Sequence, residues 1–289
     1  MPPILTPFKS NYEIDEDGLR KNIGFWIENK VDGIIPSGST GEASRLSYDE
    51  RKRLYDIVID EVNGRVPVLC GTGCPGTRDV IALSKYAEDA GADGVMVVAP
   101  FYGSLDDDMI YNHYKTISES INIPIAIYNN PGMSGNDVRP EVVARLAKLH
   151  NIRCVKEAAC DSKRITQILK LTEGSITVMI GTDDNSYEAF VLGAKGWVSG
   201  AANFMPRINH ELFELTRKKE WEKARELFYK VVGVYYMTES PEPGRWIPII
   251  KAGAEIVGIS AGPPRPPLVP LDESRKEKLK KEMTKAGVI

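Results

Sequence analysis

Short apolar runs alternate with longer amphipathic stretches along the first two thirds of the chain. Each run spans about six residues, the usual length of a strand, and most end in Gly, Ser, Thr or Asn. Because the runs are apolar on both faces, they predict strands of a parallel sheet that is covered by helices. The eight predicted strands are Pro3–Thr6, Gly33–Pro36, Val66–Gly71, Gly94–Ala99, Pro124–Asn129, Arg153–Glu157, Thr177–Gly181 and Gly196–Ser199.

The stretches between these runs carry apolar residues at helical spacing. In the first of them, Leu19, Ile23 and Ile27 share one side of the expected helix. Ser47 begins the second, and Glu50 stands three residues later, which is the sequence of a capping box. The seven predicted helices are Asp15–Lys30, Ser47–Val62, Thr77–Ala90, Asp106–Ser120, Arg139–His150, Asp161–Thr172 and Asp184–Leu192.

Eight β/α units in about 200 residues predict an α/β fold of the (β/α)8 (TIM) barrel type. A doubly wound sheet is the alternative, although it usually has only about five or six strands. Beyond Asn203 the strand pattern stops. We therefore expect a barrel over residues 1–205 and a C-terminal helical region, packed on the barrel, over residues 206–289. The helices predicted there are Pro206–Lys218, Glu220–Thr238, Arg245–Val257 and Asp272–Lys285.

Charge and composition exclude several classes of protein. The formal net charge of −3 over 289 residues gives no basic surface for nucleic acid or anionic lipid. No segment approaches the roughly 18 apolar residues of a membrane span, and the short apolar N-terminal stretch lacks the basic leader of a signal peptide. The four Cys and three His are scattered, which argues against a metal site. We expect a cytoplasmic protein that binds neither nucleic acid nor membrane.

The segment Gly71-Thr-Gly73-Cys-Pro-Gly76 has the spacing of a dinucleotide-binding loop between a strand and a helix. Two details weaken that interpretation. The next predicted strand ends in Ala99-Pro100 instead of the acidic residue that would hold a ribose, and Pro75 removes a backbone N–H. We favour a plain loop that needs glycine for its turn, and we expect no cofactor, with a nicotinamide enzyme as the rival hypothesis.

Two side chains at predicted strand ends point to chemistry. Lys156 shares a strand face with Cys154 and Ala158, and burial there would lower the pKa of its amine. A neutral amine attacks a ketone and forms a Schiff base. Tyr128 ends the neighbouring predicted strand, and its phenol could shuttle the protons that imine chemistry requires. The alternatives are a lysine at the barrel rim, paired or solvated, and an ordinary core tyrosine.

The loop Pro36-Ser-Gly38-Ser39-Thr40-Gly41-Glu42 adds a third element. Its glycines and two adjacent hydroxyls could donate several hydrogen bonds to a carboxylate, although such loops are also common as simple turns. Together with Lys156, Tyr128 and Asp183, these hydroxyls fall just beyond the ends of predicted strands. Barrel enzymes build their active sites at that face.

The motifs resemble those of the dihydrodipicolinate synthase / N-acetylneuraminate lyase family, in order and over essentially the whole chain. The resemblance implies a (β/α)8 barrel, a homotetramer built as a dimer of dimers, and a Schiff base between a lysine and pyruvate or another 2-oxo acid. The matching segments are Gly38-Ser39-Thr40-Gly41-Glu42, Tyr128-Asn129-x-Pro131, Val155-Lys156-Glu157-Ala158, Gly181-x-Asp183 and Arg265-Pro266-Pro267-Leu268-x-Pro270-Leu271.

The same resemblance assigns catalytic roles to single positions. It implies that Lys156 is the Schiff-base lysine and Tyr128 the proton-transfer tyrosine. Ser39 and Thr40 would bind the carboxylate of the 2-oxo acid, with Ser39 also in the proton relay. Tyr102 matches a tyrosine that a neighbouring subunit contributes to the relay.

Departures from the family pattern bear on the substrate. Met133 stands where the synthases of this family carry an Arg that binds the aspartate-semialdehyde carboxylate, and a thioether cannot replace that charge-assisted contact. Gly181-Thr-Asp183-Asp184 looks like the sugar-chain contact of the neuraminate lyases. We also count Val198, in the last predicted strand, and Met133 among the substrate contacts.

These departures lead to a class I aldolase that cleaves or condenses 2-oxo acids, with pyruvate as product or substrate. The substrate they favour is a 2-keto-3-deoxy sugar acid such as 2-keto-3-deoxygluconate. The alternatives are a 4-hydroxy-tetrahydrodipicolinate synthase, a sugar-acid dehydratase of the same family, and a non-catalytic sugar-acid sensor.

Overall fold

The computed structural model of the chain describes residues 1–239, 242 and 244–289. The chain divides into two compact units. Residues 67–198 form the central unit, and residues 1–66 with 199–289 form the terminal unit. The predicted boundary between residues 205 and 206 stays a prediction.

The central unit contains a six-stranded parallel sheet whose strand order follows the chain order. The α/β class and the parallel sheet are thereby confirmed. In this sheet each strand pairs with the next one along the chain, as in a barrel, whereas the strand order of a doubly wound sheet reverses. The strands are β1 (Leu69–Gly71), β2 (Gly94–Val98), β3 (Ile125–Asn129), β4 (Ile152–Glu157), β5 (Thr177–Ile180) and β6 (Gly196–Trp197).

Helices follow the predicted stretches, with ends that differ by a few residues. Helices α3 to α8 belong to the central unit, and α1, α2 and α9 to α12 belong to the terminal unit. The helices are α1 (Glu16–Glu28), α2 (Tyr48–Val62), α3 (Thr77–Asp89), α4 (Asp107–Ser118), α5 (Pro131–Ser134), α6 (Pro140–Leu146), α7 (Lys163–Leu171), α8 (Ser186–Val191), α9 (Pro206–Arg217), α10 (Trp221–Thr238), α11 (Trp246–Ile256) and α12 (Glu273–Ala286).

The first two predicted strands are reduced to isolated bridge residues, Pro3, Ile34 and Ile35, with a parallel bridge between Pro3 and Ile35 in the terminal unit. The Ile4 N–H donates to Ile35 O at 3.0 Å, and the Ile35 N–H donates to Pro2 O at 3.0 Å. In this register the next N–H toward the start of the first run would come from Pro2, which has none. The prediction of full strands at these two runs is therefore wrong, and for the first run Pro2 is the physical reason.

The C-terminal helical region is confirmed. In the terminal unit α10 packs against α9, α11 and α12. The capping box at α2 is also present, because the Glu50 N–H donates to Ser47 Oγ at 3.2 Å and the Ser47 N–H donates to the Glu50 carboxylate at 2.7 Å. Among the described residues, no helix combines the length and apolar character that a bilayer crossing requires.

Candidate active site

Adjacent strands of the central unit bring Lys156 and Tyr128 together. The β3–β4 register pairs these two residues directly, so their side chains leave the sheet on the same side. The Lys156 Nζ lies 3.8 Å from the centroid of the Tyr128 ring, and both residues are only 5% exposed. Within the described residues this amine forms no ion pair with a carboxylate. The structure therefore contradicts a solvated lysine at the rim, and it places a buried amine against the ring of a tyrosine.

Gly181, directly after β5, makes room for this lysine. A Cβ at position 181 would lie 2.7 Å from Lys156 Cε and 2.8 Å from Ala158 Cβ. Real Cβ atoms do not approach other atoms so closely, so a side chain here would displace the amine. The Gly181 N–H donates to Glu157 O at 2.8 Å, which holds the two strand ends together.

Asn130 orients the phenol, a role that the sequence analysis did not assign. Its Nδ2 donates to Tyr128 Oη at 3.1 Å, while its Oδ1 accepts from the Met133 N–H at 3.1 Å. The same side chain therefore caps the short helix α5 and donates a hydrogen bond to the phenolic oxygen. The tyrosine hydroxyl keeps its own proton free to donate. An Asn before a Pro at a helix start was the available signal.

A buried charged cluster lies on the opposite face of the same two strand ends. Asn129 pairs in register with Glu157, and its Nδ2 donates to the two carboxylate oxygens at 3.0 and 3.1 Å. Arg164 from α7 donates to Glu157 at 3.1 Å and to Asp137 at 2.8 Å. Asn129 directly follows Tyr128 in the chain, and Glu157 directly follows Lys156. The cluster therefore fixes the backbone that carries both.

Two effects in this cluster act in opposite directions on the pKa of Glu157. Burial raises the pKa of Glu157, since a carboxylate loses hydration there, and the Arg164 guanidinium acts to lower it. Glu157 is 2% exposed, so its charge depends on Arg164 and Asn129 for compensation. Removing the guanidinium would leave a buried carboxylate without its cation.

Arg164→Met is expected to lower the free energy of unfolding by about 3–5 kcal/mol, because one partner of a buried ion pair is lost while the other stays. Urea denaturation followed by circular dichroism measures this change. Arg217→Met is the control, since Arg217 pairs with Glu214 on the surface with 64% of its side chain exposed. The control should unfold at the wild-type urea concentration. Equal unfolding midpoints for Arg164→Met and wild type would contradict the role given to the cluster.

The two predicted polyol contacts after β5 differ in their surroundings. Asp183 is fully buried, and one carboxylate oxygen accepts a hydrogen bond from Trp197 Nε1 at 3.0 Å. Asp184 is half-buried, and desolvation raises the pKa of its carboxyl group. Val198 is buried just after β6. Asp183 therefore has a structural partner already, and its contact with substrate stays a prediction.

Met133 and Tyr102 are both exposed. Met133, on α5, has 53% of its surface exposed. Tyr102 follows β2 in a loop, is 99% exposed, and has a left-handed backbone with φ of 66°. A tyrosine held out from its own subunit in this way is available to another molecule.

Ser39 and Thr40 lie in the terminal unit on a tightly held loop. Thr40 is buried and Ser39 is half-buried. Thr6 Oγ1 donates to Gly41 O at 2.7 Å, and a Cβ at position 41 would lie 2.8 Å from Ile4 O. The close approach of the backbone explains why glycine stands at position 41.

The dinucleotide-like segment has a packing explanation. A Cβ at Gly73 would lie 2.4 Å from Val98 Cγ1 of β2, so a glycine is required there by strand packing. Gly76 stands at the N-terminus of α3. In the part of the chain that the structure describes, no group of three or more His, Cys, Asp or Glu side chains is placed to hold a metal ion.

Comparison with known proteins decides the family. The sequence profile of the Dihydrodipicolinate synthetase family matches residues 1–286. The chain belongs to this family. It is therefore an enzyme, a lyase of a family that joins pyruvate to an aldehyde through a Schiff base.

Named relatives and solved structures agree with this assignment over the full length. The 4-hydroxy-tetrahydrodipicolinate synthase of Syntrophus aciditrophicus is 40% identical, with 99% of this chain and 97% of the relative covered. That of Methanospirillum hungatei is 38% identical, with 98% and 97% covered. The chloride-inhibited dihydrodipicolinate synthase of Acinetobacter baumannii, solved with pyruvate, is 33% identical with a TM-score of 0.94, covering 100% of this chain and 98% of that one.

These relatives correct the substrate prediction. The interpretation as a 2-keto-3-deoxygluconate aldolase is wrong, because the curated relatives at 34–40% identity are named 4-hydroxy-tetrahydrodipicolinate synthase. The absence of an Arg at position 133 was given too much weight. The alternative named from the sequence is the one that the comparisons support.

Proposed function

We propose that the enzyme is a 4-hydroxy-tetrahydrodipicolinate synthase that condenses pyruvate with aspartate semialdehyde. The observation that carries the proposal is the buried Lys156 amine against the Tyr128 ring at the ends of adjacent strands. The names of the full-length relatives supply the reaction in which such an amine works.

Lys156 Nζ attacks C2 of pyruvate, and the carbonyl oxygen leaves as water to give an iminium. The positive nitrogen then draws electrons from C3, which loses a proton and becomes an enamine carbon. That carbon attacks the aldehyde carbon of the semialdehyde, whose oxygen takes up a proton. Finally the amino group of the semialdehyde adds to C2 and displaces the lysine, which closes the ring and frees the enzyme.

Tyr128 is the proposed proton carrier for these steps, because its oxygen accepts from Asn130 and its own proton remains available. Ser39 and Thr40 are the proposed ligands of the pyruvate carboxylate, and Ser39 is the next group of the relay. Tyr102 is proposed to complete the relay from a neighbouring subunit, which its 99% exposure favours.

Other residues are proposed to surround the two bound acids. Gly181, Asp183, Asp184 and Val198 are proposed to border the bound acids. The second carboxylate has to be bound by a group other than Met133, since a thioether offers no charge. No cofactor and no metal enter the scheme.

We further propose that the sheet closes into a (β/α)8 barrel and that the enzyme is a cytoplasmic homotetramer, a dimer of dimers. TM-scores of 0.93 and 0.94 against the dihydrodipicolinate synthases of Aquifex aeolicus and Acinetobacter baumannii support the closed fold. Sedimentation of the purified protein tests the assembly directly.

Borohydride reduction with pyruvate tests the chemistry. The reduced adduct is expected on the peptide that contains Lys156, at about one per chain, and mass spectrometry locates it. Aspartate semialdehyde added before the reductant should lower the yield, because it consumes the enamine.

Product analysis then distinguishes the synthase from a sugar-acid aldolase or dehydratase that would use the same Schiff base. Pyruvate and aspartate semialdehyde should both disappear in equal amounts. An adduct that forms on Lys156 without any consumption of aspartate semialdehyde would contradict the synthase assignment and leave the Schiff-base mechanism intact. No adduct at all would defeat both.

A further inference from the structure

A second buried lysine, Lys251 on α11, lies in the terminal unit and has no place in the reaction scheme. Its side chain is 3% exposed, and its Nζ lies 3.1 Å from Oε1 of Glu42, whose side chain is fully buried. A buried lysine needs a partner or a task, because taking its charge out of water is costly. Glu42 ends the Gly38–Glu42 loop, which carries Ser39 and Thr40.

Backbone carbonyls surround this ammonium. Lys251 Nζ donates to Thr6 O at 2.9 Å, to Ala261 O at 3.0 Å and to Pro263 O at 3.3 Å. Glu42 Oε1 is the fourth oxygen around this nitrogen, at 3.1 Å, and it compensates the positive charge. The cation is therefore fixed first by the chain around it, and Glu42 is held by charge.

Glu42 in turn fixes the loop. Its backbone is left-handed, with φ of 59°, which is unfavourable for a residue with a side chain. Its other carboxylate oxygen accepts the Arg265 N–H at 2.9 Å. Its own N–H donates to Ser39 O at 3.1 Å, and the next N–H, of Ala43, donates to Gly38 O at 3.2 Å. A shift of this carboxylate would move the carbonyls beside Ser39 and Thr40.

We propose that Lys251 is a positioning residue for pyruvate binding, which acts through Glu42 to hold the Gly38–Glu42 loop in the conformation that presents Ser39 and Thr40. This inference rests on the proposed function, in which those two hydroxyls bind the pyruvate carboxylate. Lys251 touches no reacting atom. Its contribution is to keep the loop preorganised, so its loss should weaken pyruvate binding more than it slows turnover.

The pair also makes pyruvate binding sensitive to alkaline pH. The charged groups that face Lys251 are Glu42, Glu255 and Arg265, and the Phe8 ring lies 4.5 Å from its Nζ. Burial lowers the pKa of Lys251 from its usual 10.5 to about 8. In the folded enzyme the ammonium is thus lost near pH 8, and Glu42 then loses its cation.

This loss has the opposite sign to alkaline unfolding. Between about pH 8 and 10.5 the unfolded chain holds a proton on Lys251 that the folded chain has lost. The free energy of unfolding therefore rises with pH in this window as far as this group contributes. A fall in pyruvate affinity just above pH 8 would therefore indicate a change in the Gly38–Glu42 loop and not unfolding of the enzyme.

Three variants test the proposal through the KM for pyruvate. Glu42→Gln/Lys251→Met removes both charges together, so that neither is left buried alone, and should raise this KM by about tenfold or more while kcat changes by less than about threefold. Lys251→Arg keeps a cation that does not titrate, and its KM should stay within about threefold of wild type at pH 7. Lys276→Met, on the surface of α12, is the control and should behave as wild type.

The pH profile supplies the second readout. The KM of the wild type should rise above pH 8 relative to that of Lys251→Arg, since only the wild type loses the cation beside Glu42 in this range. A wild-type KM in the double variant, or a constant ratio between the two pH profiles, would overturn the proposal. Borohydride trapping on Lys156 in the wild type is run beside these assays. Failure of that trapping would count against the proposed function, whereas successful trapping with unchanged KM values would count against Lys251 alone.

Discussion

Lys156→Ala is expected to abolish the covalent adduct with pyruvate and to lower kcat/KM by about 10⁴-fold or more, as removal of a covalent nucleophile does in other enzymes. The amine is the atom that becomes the electron sink, and no hydroxyl nearby can form an iminium. Lys156→Arg should fail equally, because the guanidinium stays protonated and is a poor nucleophile. A coupled turnover assay and mass spectrometry after borohydride reduction measure both losses.

Lys195→Ala is the matched control, since this exposed lysine precedes β6 in the same unit. It should give wild-type turnover and a normal adduct on Lys156. Thermal denaturation of each variant confirms that it is folded. Full adduct formation in Lys156→Ala would show that another amine does the chemistry and would remove the basis of the proposed function.

The sequence predicted the part of the site that depends on strand neighbours. Apolar runs ending at Asn129 and Glu157 predicted two adjacent parallel strands, and parallel neighbours place their C-terminal ends at one edge. Tyr128 and Lys156 therefore had to lie close together, and they do. The capping box at Ser47 was also readable, because its two hydrogen bonds are local in sequence.

Long-range partners could not be predicted in the same way. Nothing in a single sequence connects Lys251 with Glu42, since their contact depends on how α11 and the Gly38–Glu42 loop pack within the terminal unit. The same holds for Arg164, which reaches Glu157 from the following helix. The predicted strand at Pro3 is cut short for a local reason, because hydropathy does not register the missing N–H of Pro2.

The substrate was mispredicted because two local departures, Met133 and the Gly181–Asp184 segment, were treated as decisive. Substrate choice is a difference between affinities that depend on many contacts. The loss of one charged contact weakens the binding of one substrate, but it does not identify which other substrate is bound. Met133 is 53% exposed on a short helix, and its contact with substrate stays a prediction. Identity of 34–40% over the whole chain reflects all the residues that contact substrate, so it is better evidence for the substrate than a few local differences.

Tyr128→Phe is expected to lower kcat by about 10²–10⁴-fold and to leave the KM for pyruvate within about threefold of wild type. The substitution removes only the phenolic oxygen. The ring under Lys156 Nζ remains, so the amine keeps its place and its attraction to the aromatic face. Proton transfer, in contrast, loses its carrier, and Asn130 Nδ2 loses its acceptor. Borohydride trapping at saturating pyruvate should reach the wild-type yield at a lower rate.

Tyr114→Phe separates this catalytic effect from the cost of losing a buried hydroxyl. Tyr114 is fully buried on α4, and its hydroxyl donates to Val97 O at 2.9 Å. Its loss removes this buried hydrogen bond and should lower the melting temperature without changing kcat. A reversed outcome, in which Tyr128→Phe melts early but turns over at the wild-type rate, would reduce Tyr128 to a core residue and require another group to move the protons.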